Sequence, residues 1–480
     1  MKKVIRNLAI FSAILFFITA CSHRNSYVNV LPSEASLVAS IDVPSLIEKS
    51  GLSESDERLL KEKVGKILKG ELRVDEAALV EKVVAHPEES GIDWTDKVYM
   101  FVMPDNYATG ILASVDNQDK LEALLNVLAE QKVCDSFADG DGYRYAVSEG
   151  RFLLAYNEIA FLMVGVQAES EVESLKVKVK RWMNASKAQS YASTKGYAKL
   201  QAEEGDIKID VSMGILPQQY AMMAAAGLPD EIQLKDIHSI VGICFEKGEL
   251  DVNVENYYTN DKLEAQVERM ATLYDGRTSG KFLDKFSDDV MFWVNTCVDG
   301  KELYAYLQEN PSTSAQLQNM HLPVNLERIL TTLQGELALG VSVSGRIPQL
   351  GLYAEVIDDA FLQELEAFKS VLETLGFRYG IEDGVFYLTN RKDAKDESLK
   401  NAFWAGESED KLVFLIIDMN ALKAMAPLLP ASNRMMGTYI ESVQIYVSEV
   451  QRGHFVLKAV DKDTNILKQC IDLVKKTALN

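Results

Sequence analysis

The feature that most constrains this chain is a strand-to-helix junction that recurs along it. In Leu350–Leu372 (LGLYAEVIDDAFLQELEAFKSVL), Tyr353, Ala354 and Val356 sit among few polar residues, as in a largely buried strand. Asp358 and Asp359 break the run and can accept from the free N–H groups of a first helical turn. Phe361, Leu362, Leu365, Phe368 and Leu372 then recur at helical spacing. Gly110–Leu125 repeats this at an offset of 241, with Gly110 on Gly351, Ala113 on Ala354, Leu121 on Leu362 and Leu124 on Leu365. A third copy lies at Leu250–Met270, where Asp261-Lys262-Leu263-Glu264-Ala265 repeats Asp119–Ala123 letter for letter, and a fourth lies at Phe455–Val474 with its register slipped by about one residue.

Each copy follows another strand-helix element: Leu37–Glu48, Ile207–Met222, Val290–Leu307 and Leu412–Ala424. Three of these carry Asp-x-x-x-Leu at the junction (Asp42/Leu46, Asp299/Leu303, Asp418/Leu422), an N-cap followed by the start of a buried stripe. The second element departs, with Pro217 placed to start the helix. A strand–helix–strand–strand–helix unit used four times predicts an α+β fold of two related halves. The sheets are expected to be antiparallel or mixed with helices on one face, because β–β pairs joined by short turns argue against a doubly wound parallel sheet. The halves are expected at 31–275 and 281–480, divided by the turn formers Asp275–Gly280. Ser53–Val84 reads as a helical insertion with Leu59, Leu60, Val64, Leu68 and Leu72 on one face.

The N-terminus places the chain in the cell. Lys2, Lys3 and Arg6 precede the apolar run Leu8–Phe17, which is too short to span a bilayer comfortably. Ile18-Thr19-Ala20-Cys21 follows, so residues 1–20 read as an export signal. A Cys directly after small residues resembles a bacterial lipobox. That resemblance implies cleavage before Cys21 and acylation of its thiol and new amine. Residues 21–30 would then be a short tether, and several acyl chains hold firmly where one holds marginally. No Asp follows Cys21, which in Gram-negative sorting points to the outer membrane. No acidic run of the kind used for surface export follows either, so the body is expected to face the periplasm.

The lipobox, Leu31–Leu52 (LPSEASLVASIDVPSLIEKSGL) and the acidic two-half build resemble a family of uncharacterised Bacteroidota lipoproteins, classed as a domain of unknown function. The resemblance implies location and build and transfers no functional residue.

Net charge is −21, and it becomes −24 without residues 1–20, since 47 basic then face 71 acidic residues. Such a surface repels phosphate backbones, so nucleic acid is not an expected partner. The expected partners are the membrane, through the anchor, and an envelope protein. Five His residues lie scattered without metal-ligand spacing. Asp139-Gly140-Asp141-Gly142 has calcium-loop letters but reads as a hairpin turn. Ser408-Glu409-Asp410-Lys411 matches Ser-x-x-Lys by letter within a charged turn and is not read as a nucleophile. Cys244, Cys297 and Cys470 fall in apolar periodic segments, where buried thiols are expected, and Cys134 completes a set that export permits to pair.

No catalytic, cofactor-binding or metal-binding residue is assigned; the assigned site is lipidation at Cys21. The expected function is a lipid-anchored, non-catalytic binding or scaffold module. The alternatives are an envelope hydrolase built from scattered carboxylates and a carrier of apolar ligands using the Met-rich stretches Tyr220–Ala226 and Met419–Met436.

Overall fold

The computed structural model describes residues 27–52, 86–104, 107–130, 132–217, 233–309, 324–344, 347–360, 362–391, 398–423 and 438–478. The signal and Cys21, the 53–84 insertion, Tyr220–Ala226 and Met425, Met435 and Met436 lie outside them. Packing divides the chain into two compact units, residues 1–215 with 471–480, and residues 216–470. The turn at Asp275–Gly280 therefore lies inside the second unit.

The first unit holds β1 (Leu37–Ile41), β2 (Val98–Val102), β3 (Ala108–Ser114), β4 (Ala138–Asp139), β5 (Arg144–Ser148), β6 (Phe152–Tyr156), β7 (Ala160–Val166) and β8 (Ile207–Ser212). They pair antiparallel throughout, in the order β4-β5-β6-β7-β3-β2-β1-β8. The helices are α1 (Val43–Ser50), α2 (Gln118–Glu130), α3 (Val172–Met183) and α4 (Lys195–Ala202). They cover both faces, not the one face expected. Trp182 of α3 meets Phe101 edge-on at 5.8 Å on one face. Leu121 and Leu125 of α2 pack with Ala113 and Tyr156 on the other. The cause is local: Leu112 and Ala113 are adjacent, both buried, and point to opposite faces. The 139–142 turn forms the expected hairpin, with Gly140 N–H donating to Tyr143 at 2.7 Å.

The second unit holds β9 (Ile237–Glu246), β10 (Glu249–Tyr258), β11 (Val290–Asp299), β12 (Leu333–Ser344), β13 (Ile347–Val356), β14 (Arg378–Glu382), β15 (Val385–Thr389), β16 (Val413–Asp418), β17 (Ile440–Glu449) and β18 (Arg452–Ala459). The order is β14-β15-β13-β12-β11-β16-β17-β18-β10-β9, again antiparallel. Strands β9 and β10 belong here because β10 pairs with β18 from Glu249↔Lys458 to Glu255↔Arg452. Its helices are α5 (Asp261–Ala271), α6 (Gly300–Glu309), α7 (Leu326–Thr332), α8 (Leu362–Glu366), α9 (Lys369–Thr374) and α10 (Met419–Lys423), while α11 (Ile466–Ala478) begins in this unit and its residues from 471 on count with the first. Where the spacing predicts one helix over 361–375, the described residues from Leu362 on form two short helices. Phe368 bends between them with its N–H on the Leu365 carbonyl at 2.9 Å. Val371 and Leu375 stay 55% and 60% exposed, so tertiary burial does little to enforce one continuous helix.

The Asp caps form as the spacing predicts. Asp42 accepts from Ser45 N–H at 3.0 Å, Asp299 from Glu302 N–H at 2.9 Å and Asp418 from Asn420 N–H at 2.8 Å.

The segments ahead of β1 in the first unit and of β11 in the second are pinned in the same way. Tyr191 N–H donates to the Leu31 carbonyl at 3.0 Å, and Leu399 N–H to the Phe286 carbonyl at 2.9 Å. Antiparallel bridges Pro32↔Ser190 and Ser287↔Ser398 sit beside these bonds.

Two residue rows cross one face of the second unit's sheet. The first runs Gly380, Tyr387, Tyr353, Ala338, Asn295, Phe414, Tyr446, His454, Asn253. The second runs Thr389, Gly351, Gly340, Trp293, Ile416, Gln444, Val456, Asp251, Cys244. The middle of both rows lies under residues 282–286 and 399–405. There Phe286 meets Trp293 edge-on at 4.8 Å, and Trp404 stacks on Phe414 at 6.0 Å. Phe286 fits because its row neighbours Gly340 and Gly351 carry no Cβ: one built on Gly340 would lie 2.4 Å from its ring. Buried Arg391 fastens this cover, donating to Ser342 Oγ at 2.7 Å and Asp289 Oδ1 at 2.9 Å.

Candidate functional site

Beyond the Trp293 core, the first row ends in a groove of about 330 Å³. Its floor is Phe282, Tyr353, Val385 and Tyr387; its rim carries Lys281, Asp284 and Lys285 on one side and Glu382 and Asp383 on the other. Tyr353 and Tyr387 are direct cross-strand partners, so their rings are neighbours by register. Phe282 stacks on Tyr353 at 6.0 Å and 27°. Gly380, opposite Tyr387, leaves room for that phenol: a Cβ on Gly380 would lie 2.9 Å from its hydroxyl.

The rim carboxylates are presented by a two-residue hairpin turn. Asp383 and Gly384 both have positive φ, 51° and 76°, which is why Asp-Gly stands between β14 and β15. Lys281 pairs with Glu355, and Lys400 approaches Asp284 at 3.4 Å. Burial pushes the Glu355 carboxyl up, but the Lys281 ammonium and the Glu336 N–H outweigh it and hold it low. Burial raises the Tyr353 phenol against the pull of Arg391 and Arg378, so it keeps its proton at neutral pH. The lining therefore supplies apolar ring surface, phenol groups and charges of both signs.

The opposite end of the rows is polar. Asp251 Oδ1, Asn253 Oδ1 and His454 Nδ1 are buried without a hydrogen-bond partner. His454 stacks on Tyr446 at 4.4 Å, and its Nε2 lies 3.0 Å from Ser448 Oγ. That is hydroxyl–base spacing, but a hydrolytic triad needs the base oriented through its second nitrogen. Here Asp251 Oδ1 and His454 Nδ1 each stay unbonded, so the third contact is not made. Gln444 and Lys458 both donate to Glu407 at this end, Gln444 at 2.5 Å.

No disulfide joins Cys134, Cys244, Cys297 and Cys470 among the described residues. Cys134 and Cys297 are buried, Cys244 is half-buried, and Cys470 is exposed, contrary to the burial its apolar segment suggested. Cys470 lies one turn beyond the buried Ile466 on the same helical face, so burial along that face ends between them. Ser408 is sealed, its hydroxyl donating to the Ala405 carbonyl at 2.7 Å. Among the described residues, no group of three His, Cys, Asp or Glu could hold a metal ion, and no helix is long and apolar enough to cross a membrane.

Sequence reasoning missed the groove. Tyr387 was legible only as part of a short strand, and Lys281–Lys285 as the approach to the next one. The Glu382-Asp383-Gly384 turn was the available signal, since it places two carboxylates at a hairpin tip.

A family model for a domain of unknown function, DUF4836, matches residues 27–451. The chain belongs to the DUF4836 family. A search of curated proteins finds no match. Among solved structures, crystal form IV of TP0453 is 12% identical at a TM-score of 0.27, covering 52% of this chain and 88% of that one. Crystal form I of TP0453 is 10% identical at a TM-score of 0.22, covering 75% and 90%. At these scores the description of the DUF4836 fold rests on its own strand ladders.

Proposed function

We propose that this DUF4836 protein is a lipid-anchored component of the cell envelope that acts as a non-catalytic binding module. The observation that carries the anchor is Ile18-Thr19-Ala20-Cys21 behind a basic start and a short apolar run. Acylated Cys21 would hold the body near the outer membrane, facing the periplasm. The Tyr353–Tyr387 groove supports the binding role, because it gathers ring surface and charged groups in one concavity.

An internal duplication accounts for the build. The local order β3-β2-β1-β8 parallels β13-β12-β11-β16, and the element order strand, helix, strand, strand, helix repeats with it apart from the added α7 between β11 and β12.

The test has two arms in intact cells. Labelling with an alkyne fatty acid is expected to mark the wild-type chain and not Cys21→Ser. Crosslinking followed by capture is expected to recover one envelope partner that disappears with Cys21→Ser. An unlabelled wild-type chain sinks the anchor, and the absence of any crosslinked partner, together with an empty groove in binding assays, sinks the binding role.

A further inference from the structure

We infer that the groove of the second unit takes a neutral, polyhydroxylated ligand of sugar-ring type, seated on the Tyr387 ring. The inference rests on the binding reading above and names the class of ligand.

The argument proceeds by charge and shape. An anion entering the groove would face Asp284, Glu382 and Asp383. A cation would face Lys281 and Lys285, and Lys281 already lies 5.7 Å from the Phe282 ring centre. A wholly apolar ligand would strip water from both sets of charges without offering them a hydrogen bond. A sugar ring avoids all three penalties. Its axial C–H face is apolar and covers an aromatic ring. Its edge carries hydroxyls that donate to Glu382 and Asp383 and accept from Lys285.

The platform is built for this. Tyr387 and Tyr353 are held side by side by strand register, and the Tyr387 phenol lies over Gly380, where a Cβ would displace it. A volume of about 330 Å³ is also in the range of small-ligand sites.

The experiment is calorimetric titration of the full chain in detergent micelles with cellobiose, with inorganic phosphate and tetramethylammonium as the charged comparators. Saturable cellobiose binding is expected, with Kd on the order of 1 mM, and neither comparator should bind. Tyr387→Ala should weaken it about tenfold, and Tyr387→Phe by no more than about twofold, since stacking needs the ring and not the hydroxyl. Gly380→Ala, which changes the identity of no lining residue, should weaken it by displacing the Tyr387 ring. Thermal unfolding of each variant verifies folding. No cellobiose binding at about 50 mM, or undiminished binding by a folded Tyr387→Ala, overturns the assignment. Binding of phosphate or tetramethylammonium in its place overturns the sugar class but leaves the binding module standing.

Discussion

The middle and the far end of the same two residue rows solve the same problem in opposite ways. In the middle, Trp293, Phe414 and Ile416 are fully buried beneath Phe286 and Trp404. Further along the same rows, on β18 and β10, His454, Asp251 and Asn253 are half-buried with polar atoms left unbonded. The middle carries its own cost, since the Trp293 and Trp404 indole N–H groups are also buried without acceptors. There, large rings packed at native density offset that cost. At the polar end no comparable apolar area does so. The difference teaches that one continuous sheet face need not be one core: stability concentrates where the 282–286 and 399–405 segments cover it.

The largest test of this contrast is truncation in the middle. Trp293→Ala should cost about 3–5 kcal/mol, because it removes a buried ring in contact with Phe286 and Trp404 and leaves a cavity. His454→Ala, a ring of the far end, should cost well under half as much. Denaturant midpoints for both variants measure this, and equal losses would erase the distinction between the two regions.

A smaller effect probes the fit instead of the area. Gly340→Ala adds one methyl beneath Phe286, whose ring atoms lie 2.4 and 2.6 Å from the new Cβ. Overpacking of this kind costs about 1–3 kcal/mol. A comparable change in the first unit, Gly110→Ala, meets the ring of its cross-strand partner Phe101 at 2.2 Å and should also be destabilising. Calorimetric unfolding reads both; a neutral Gly340→Ala would mean that the cover yields easily and is not a rigid lid.

Each region also carries a cysteine on the same face, Cys297 near the middle and Cys244 in the row of Asp251. Burial, reinforced by the Glu336 and Glu355 carboxylates, pushes the Cys297 thiol up to about 12. Thiolate is the reactive form, so alkylation at pH 8 should reach Cys244 at least about tenfold faster than Cys297. Mass spectrometry of the labelled native protein decides it. Faster reaction at Cys297 would show that the cover opens.

How much of this was legible follows from what each feature depends on. The Asp caps at 42, 299 and 418 were readable because a cap is a local bond between a side chain and the next turn. Strand pairs joined by short turns, such as β12–β13 and β17–β18, were readable for the same reason. The division of the chain was not, since β10 joins β18 across about two hundred residues of sequence. Helices on both faces of the first sheet were obscured because continuous apolar runs such as Ile111–Ala113 do not say which face is covered. The groove depends on Tyr353 and Tyr387 meeting by register, and on a glycine opposite one of them, neither of which periodicity contains.

The smallest effect concerns the polar end alone and turns on pH. Burial raises the Asp251 carboxyl above its ordinary value, with His454 pulling the other way. A raised carboxyl binds its proton more tightly in the folded chain than in the unfolded one. Stability is therefore lost as pH rises from below 3.8 through the raised folded value, and the loss persists at neutral pH. Asp251→Asn removes the charge while keeping the shape, so it should stabilise the protein at pH 7, by less than about 1 kcal/mol, and the gain should fade below pH 3.8. His454 has the opposite sensitivity. Burial lowers it, with Arg452 and Lys411 adding and Asp251 opposing, so stability falls as pH drops through 6.5. Without the Asp251 carboxylate that opposition is gone, and the acid loss in Asp251→Asn should be steeper than in the wild type. Unfolding midpoints between pH 3 and 8 separate the two groups. A variant less stable than wild type at pH 7 would mean that Asp251 is held by a favourable contact, and the polar end would then be a second core built from charges.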